Sequence, residues 1–464
     1  MITTEDVIRA TGGILLNGDM GIPFSGVSHD SRTIKAGELF VALKGPRFDG
    51  HQFVLEAFSR GAKGALVEYW PQEINIFELH RALSIIKVSN TQKALEDLAS
   101  YWRKKLSAKV VAITGSCGKS TTKEMIAGLL ERRFRVAKSP GNWNNLIGVP
   151  LSILNTPEET EVLVLELATN RPGEIARLTE ISSPDVAVLV SVYPSHLEGL
   201  GDLEGVLREK LAICEKAPSP TVFVYPYDQE EVRRRVREIC QHRVSWSLSF
   251  GLSEGANLRA QNLRLTPRGT EFELTFRDRR AQVKLPLVGE HFVRNSLAAA
   301  AAALALGLSF EEVVEGLSQV KTLPHRLELK PLGKHLLIDD TYNANPASLE
   351  AACQVAAELK DGFEQAIAVV GDMKELGASS KKFHQEAGRL LAEVFDQIFA
   401  LGEESQELAR AAGTKARHFR DPKGLLEALK DEISLPSLIL VKGSRAMKME
   451  EIVAALEEGL KAEA

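Results

Sequence analysis

Residues 110–122 read Val-Val-Ala-Ile-Thr-Gly-Ser-Cys-Gly-Lys-Ser-Thr-Thr. An apolar, β-branched run leads straight into a loop bracketed by Gly115 and Gly118. The loop carries Lys119 and Ser120 into a helix-forming segment, 123–132. Strand, loop and helix in this order are the layout of a phosphate-binding loop. Glycines let backbone N–H groups turn inward, the lysine neutralises outer phosphates, the hydroxyl reaches Mg²⁺, and the helix N-terminus adds its dipole. Gly115, Ser116, Cys117, Gly118, Lys119, Ser120 and Thr121 are therefore candidate phosphate contacts. The loop is compact: the general G-x-x-x-x-G-K-[ST] spacing would put glycine where Ile113 stands.

At 464 residues the chain is too long for one core, and two to four domains are expected. Apolar residues make up 44% and charged residues 26%, the balance of a globular protein. A formal net charge of −5 argues against a nucleic-acid partner. The densest basic cluster, 233–237, reads as a solvated helix face. Cys117, Cys214, Cys240 and Cys353 lie far apart, with no metal-ligand spacing. With no secretory leader they read as reduced thiols of a cytoplasmic protein. The longest apolar run, 296–308, is alanine-rich and too short to cross a bilayer, so no membrane insertion is expected. It reads as a helix packed tightly on a sheet.

Before residue 88, short strands at 37–43, 64–68 and 84–88 are separated by turns, and an amphipathic helix over 91–106 follows. Uniformly apolar strands at 109–113, 162–167, 186–192 and 221–225 predict a parallel sheet covered on both faces. From 243 to 288 the pattern becomes alternating strands with turn signals, read as an antiparallel flap on the central unit. Strands at 335–339, 366–370, 397–401 and 437–441, with a helix over 346–359, predict a second doubly wound unit. The expected class is α/β in three domains. These are a small N-terminal α/β domain (1–88), a central parallel-sheet domain with the phosphate loop and flap (89–321), and a Rossmann-like C-terminal domain (322–464).

Glu166 ends an apolar strand. The C-terminal ends of parallel strands face the crevice where α/β sheets bind ligands, and a carboxylate beside a phosphate loop suits Mg²⁺. His196 follows the next strand and is a candidate ligand or phosphate contact. Asn142, Asn144 and Asn145 lie in an amide-dense stretch that suits a polar substrate or forms an Asn-rich turn. Pro346 fits a first helical position with Asn345 as its cap. That leaves Asp340, Tyr342 and Asn343 for chemistry, with Asp340 suited to ribose hydroxyls. Arg326 and Arg445 are always charged and suit a phosphate clamp across a cleft. Lys210, on a helix, reads unaided as a solvated charge.

The loop 114–122, Glu166, His196, Lys210, the His291-Phe-Val-Arg-Asn295 segment and the Arg326/Asp340 pair resemble the Mur ligases. These are ATP-dependent amide-forming enzymes of peptidoglycan precursor synthesis, and the resemblance spans nearly the whole chain. Segments 339–346, 371–377 and 441–447 are similar to those of the member that uses D-alanyl-D-alanine. Asp30, Ser31 and Arg32, with Asp49 and His51, resemble its uridine-nucleotide site. The chain departs from the family pattern at Cys117, Ala168, Ser191, Tyr193 and Ala212.

The resemblance implies ATP and Mg²⁺ as cofactors, UDP-N-acetylmuramoyl-tripeptide and D-alanyl-D-alanine as partners, and a cytoplasmic monomer. It implies that the tripeptide carboxylate attacks the γ-phosphate of ATP, and that the dipeptide amine then opens the acyl phosphate. Anion meets anion in the first step, so charge neutralisation and positioning must dominate. Lys119, Lys210, His196 and Arg326 are the implied catalytic residues. Ser120, Glu166, His196 and Lys210, the last as a carbamate, are the implied metal ligands. His291 and Asn295 are expected at adenine, Asp340 at ribose, Arg326 at the γ-phosphate, and Asn142, Asn144, Asn145, Tyr342, Asn343 and Asn345 at substrate. Two rival readings are a nucleotide-operated switch and a folylpolyglutamate synthase-like ligase. Segments 142–145 and 339–346 argue against the first, and the uridine-type N-terminal section against the second.

Overall fold

The computed structural model describes residues 1–70, 75–243, 246–266 and 268–461. Its largest sheet runs Arg279–Leu285, Gly269–Phe276, Leu258–Thr266, Trp246–Gly251, Val222–Pro226, Val186–Leu189, Lys109–Thr114, Val162–Glu166, Val136–Lys138. Six of these strands, from 136–138 through 246–251, are parallel. Val110, Val111, Ala112 and Ile113 are fully buried, as helices on both faces require.

The expected antiparallel flap is the edge of this same sheet. Phe250 and Gly251 pair in parallel with Leu258 and Arg259, and only the last three strands are antiparallel to each other. Leu258, Ala260, Phe272 and Leu274 bury their side chains in the common core, which keeps these strands from standing off. The alanine-rich helix spans Glu290–Ala305, and Ala298 through Ala303 are wholly buried. Their small side chains let it pack closely on the sheet and on the helix Lys119–Leu130.

Lys109–Thr114 lies between Val162–Glu166 and Val186–Leu189, so the strand order reverses at its carboxyl end. Open α/β sheets form their ligand crevice at such a point. The strand expected over 186–192 stops at Leu189. The chain beyond it turns to hydrogen-bond the phosphate loop. The helix expected over 91–106 is Thr91–Arg103, capped by Asn90, and it ends where the buried Arg103 guanidinium turns to Ser182 O and Ser183 O.

The C-terminal sheet runs Glu328–Leu332, His335–Asp340, Ser437–Lys442, Gln365–Gly371, Gln397–Leu401, Ala416–Phe419, parallel except at the first strand. The N-terminal sheet runs Ile14–Asn17, Ser84–Lys87, Gly64–Val67, Leu39–Val41, Val27–Ser28. Among the described residues, no helix is long and apolar enough to cross a membrane.

Candidate active site

A cavity of about 1030 Å³ opens at the carboxyl ends of the central and C-terminal sheets. The phosphate loop forms its floor. Gly118 caps the helix Lys119–Leu130 with φ 80°, and a Cβ there would stand 2.4 Å from Asn295 Oδ1. Only glycine meets both demands. Asn295 is thus packed against the loop itself, while His291 lies one helical turn earlier.

Not every loop amide points inward. Ser116 N donates to Ser191 O at 2.9 Å and Cys117 N to Ser191 Oγ at 3.2 Å. Ser116 Oγ and Tyr193 exchange two further bonds of 2.8 Å. Of the two departures here, Ser191 braces the loop through its hydroxyl, whereas Tyr193 does so through its main chain alone. As phosphate contacts through their amides, Ser116 and Cys117 are corrected: those donors are used inside the protein. The donors left for phosphate are those of the helix N-terminus and the remaining N–H bonds of Lys119 Nζ, which donates once to Gly115 O at 2.9 Å. The Cys117 thiol meets the Asn345 amide at 3.2–3.3 Å, and burial pushes its pKa up.

Ser120 Oγ donates to Glu166 Oε2 at 2.8 Å, and Asn144 Nδ2 donates to Glu166 Oε1 at 3.1 Å. Glu166 is buried at 3% exposure, so an oxygen-rich donor set lies at the foot of the loop. Hard Mg²⁺ takes such donors. Of the three asparagines, only Asn144 enters the cavity. Asn142 is exposed, and Asn145 Oδ1 is drawn off by Ile147 N and Gly148 N at the start of the helix Gly148–Leu154. Sequence reasoning missed Lys123. Its buried ammonium donates to Ser139 O (2.9 Å) and Gly141 O (3.0 Å) and stands 3.9 Å from Glu166. The available signal was its place one helical turn after Lys119.

His196 sits at φ 51° before the helical turn Leu197–Leu200. Its Nδ1 is 3.0 Å from Glu375 Oε2, an ion-pair approach without hydrogen-bond alignment. Lys210, on the helix Leu203–Glu215, is wholly buried and its Nζ has no hydrogen-bond partner. Burial, then the Lys119 charge, holds its pKa well below the ordinary lysine value. The solvated-charge reading of Lys210 is thereby excluded. Burial likewise lowers His291 to about 4, so its ring is neutral near pH 7.

Arg326 is presented between two left-handed residues, His325 (φ 62°) and Leu327 (φ 48°). Its Cζ is 3.8 Å from the Tyr342 ring centroid, and that of Arg445 is 5.3 Å from the same ring. Leu327 N donates to Asp340 Oδ1 at 3.1 Å, and Lys442 Nζ to Asp340 Oδ2 at 2.6 Å. Each Asp340 oxygen therefore already accepts one hydrogen bond, and the buried cation on the neighbouring strand needs the carboxylate, which keeps further lone pairs. Asn343 Oδ1 is taken by Ala344 N, and Asn345 caps the helix Pro346–Leu359 through Ser348 N.

None of the N-terminal candidates lines this cavity. Arg32, with its side chain 80% exposed, forks onto Asp30, whose carboxyl that contact draws down to about 2. Ser31 Oγ bonds Glu56 at 3.3 Å. His51 is corrected as a side-chain ligand: it is buried, its Nδ1 meets Asp49 at 2.6 Å, and its Nε2 accepts from Glu68 N at 2.8 Å. Its ring stacks on Tyr69 at 4.2 Å.

Three family profiles match the chain: the Mur ligase family catalytic domain over 23–103, the Mur ligase middle domain over 113–303, and the Mur ligase glutamate ligase domain over 325–445. A relative from Escherichia coli, UDP-N-acetylmuramoyl-tripeptide–D-alanyl-D-alanine ligase, is 38% identical over 96% of this chain and 97% of its own. The chain belongs to the Mur ligase family. The Bacillus subtilis enzyme of the same name is 36% identical over 93% of each chain. Among solved structures, MurF from Acinetobacter baumannii superposes with a TM-score of 0.90 at 34% identity over 98% of both chains. MurF ligase from Thermotoga maritima, in complex with ADP, gives 0.84 at 32% identity over 95% of this chain and 98% of its own. Folylpolyglutamate synthase from Mycobacterium tuberculosis shares only the fold, at 19% identity, a TM-score of 0.64, and 78% of this chain against 94% of its own. In this Mur ligase the cavity is walled by the middle and C-terminal segments, and among the described residues the first segment contributes none of its lining.

Proposed function

We propose that this chain is the ATP-dependent ligase that joins D-alanyl-D-alanine to UDP-N-acetylmuramoyl-tripeptide, forming the pentapeptide precursor of peptidoglycan. It acts as a cytoplasmic monomer. The observation that carries this reading is one cavity in which the Lys119 loop and the Ser120–Glu166 pair face Arg326 from another sheet. The full-length relatives supply the substrates.

ATP lies with its phosphates on the helix N-terminus and Lys119. Arg326, which has no carboxylate partner among the described residues, takes the γ-phosphate, steadied by Tyr342. Neutral His291 faces the base. Asp340 holds the Arg326 turn and offers its remaining lone pairs to ribose. The tripeptide carboxylate attacks the γ-phosphorus and ADP leaves; the dipeptide ammonium then gives up a proton, its amine attacks the acyl carbon, and phosphate leaves as the nitrogen sheds its second proton to solvent. The residues present fit Mg²⁺, with Ser120 and Glu166 as one donor set and His196 near a second. Bound there, the ion would offset the charge of the triphosphate and the attacking carboxylate.

Lys210 is a carbamate in the working enzyme. A buried amine with no partner, beside Lys119, is disfavoured as a cation and is left as the neutral form that adds CO₂ with loss of a proton. The product is an anion that balances Lys119.

The test is phosphate release from ATP by the full chain. Release should need both the muramyl tripeptide and D-alanyl-D-alanine. Release with ATP alone, unmoved by either acceptor, would favour the nucleotide switch and overturn the ligase reading.

A further inference from the structure

Two loops of the C-terminal sheet meet at the cavity. One, 371–377, follows the strand Gln365–Gly371; the other, 443–447, follows its parallel neighbour Ser437–Lys442. They are stitched together: Lys374 N donates to Ser444 Oγ at 2.8 Å, and Ser444 N to Asp372 O at 3.1 Å. Glu375 and Arg445 each stand one residue beyond this stitch, and both line the cavity.

The other ionic groups here are consumed. Asp372 is buried and takes Ser405 N and Oγ, each at 2.7 Å, and Lys374 at 2.8 Å. Lys374 also pairs with Glu404 at 2.9 Å, and Lys442 is bound by Asp340. Arg445 has no carboxylate partner among the described residues, only the Tyr342 ring. Glu375 has one contact, His196 at 3.0 Å, and a strained φ of 64° that points to a fixed placement. One cation without a carboxylate partner and one anion held only by His196 thus stand on neighbouring loops.

We propose that Glu375 and Arg445 form the receptor for the zwitterionic acceptor, Glu375 taking the ammonium of D-alanyl-D-alanine and Arg445 its terminal carboxylate. The proposal rests on the ligase reading above. Its polarity follows from placement. The nitrogen must reach the acyl carbon near Lys119 and His196, and Glu375 is the group that touches His196. A guanidinium fork matches a carboxylate at two points. Leu376 and Ala446, also in the lining, offer apolar surface to the methyl groups.

Steady-state kinetics of the full chain decide it, with D-alanyl-D-alanine, D-alanyl-D-alaninamide (no carboxylate charge) and propionyl-D-alanine (no ammonium, a dead-end analogue). Arg445→Gln should raise KM for the dipeptide about tenfold, the scale of one lost charged hydrogen bond, and leave KM for the amide and for ATP unchanged. Glu375→Gln should raise the dipeptide KM while leaving inhibition by propionyl-D-alanine as in wild type. Both side chains are exposed, so neither change opens the core. An unchanged dipeptide KM in either variant overturns the proposal. So does an equal rise for dipeptide and amide, or a rise in KM for ATP alone in Arg445→Gln. Failure of the ligase reading looks different: the wild type would show no dipeptide-dependent phosphate release at all.

Discussion

Lys442 Nζ lies 2.6 Å from Asp340 Oδ2, across two parallel strands whose register sets these residues side by side. The lysine side chain is 1% exposed and the aspartate 12%, so the pair is nearly dry. Through its other oxygen, Asp340 also fixes Leu327 N and with it the turn that presents Arg326. One carboxylate therefore links core stability to placement of the arginine.

Asp340→Asn should strip the counter-charge from a buried ammonium. Breaking such a pair costs about 3 kcal/mol or more. A lower melting temperature is expected together with a raised KM for ATP, read by thermal unfolding and steady-state kinetics. A variant with normal melting and a raised KM would leave Asp340 as a ligand only.

Lys123→Met keeps the length of the side chain and removes its charge. Ser139 O and Gly141 O lose their donor, and the loop that aims Asn144 at Glu166 loosens. The expected result is a rise in KM for the muramyl tripeptide of about tenfold, the scale of hydrogen bonds from a charged donor. KM for the dipeptide should hold. Equal losses for every substrate would mean general damage to the fold.

The Ser120–Glu166 pair was legible in the sequence because each residue follows directly from a local signal: one in a glycine-bracketed loop, the other at the end of an apolar strand. The Asn345 cap was legible for the same reason, with Pro346 behind it. Lys123 was not, because a helical lysine reads as solvated, and its burial comes from residues 139–141 folding across it. His196 and Glu375 lie in loops that follow strands of different sheets, and no local pattern reports a contact made by tertiary packing. His51 misled in the opposite sense. A polar ring among turn residues reads as a ligand, but both its nitrogens are spent on Asp49 and Glu68 N.

Burial lowers His291 from 6.5 to about 4. Between those two values the unfolded chain binds a proton here that the folded chain does not. The contribution of this ring to stability is therefore full above pH 6.5 and is lost as pH drops towards 4. Thermal midpoints measured across this window should fall less steeply for His291→Asn than for wild type. Parallel slopes would show that this ring does not set the acid limit.

Arg32→Ala should leave stability almost unaltered, since solvent and salt screen an ion pair this exposed. If residues 30–51 bind the nucleotide precursor, KM for the muramyl substrate rises and KM for ATP does not. A matching shift in both constants would place this arginine outside the uridine site.

Lys210 offers the sharpest test. Its Nζ is buried, lacks any hydrogen-bond partner, and stands where the Lys119 charge opposes protonation. As an ammonium it would be a desolvated cation beside another cation. As a neutral amine it would be an unsatisfied donor. Addition of CO₂ turns it into an anion with two acceptor oxygens, which resolves both problems and supplies donors that hard cations prefer. Lys210→Ala should therefore abolish most turnover while the circular dichroism of the fold persists. Added acetate should restore part of the rate by entering the vacated space. Exhaustive removal of CO₂ should slow the wild type, and ¹³C-labelled bicarbonate should give a carbamate resonance that the variant lacks. Near-normal activity of Lys210→Ala, with no carbamate signal in the wild type, would refute the modification and leave a buried, neutral lysine as its only state.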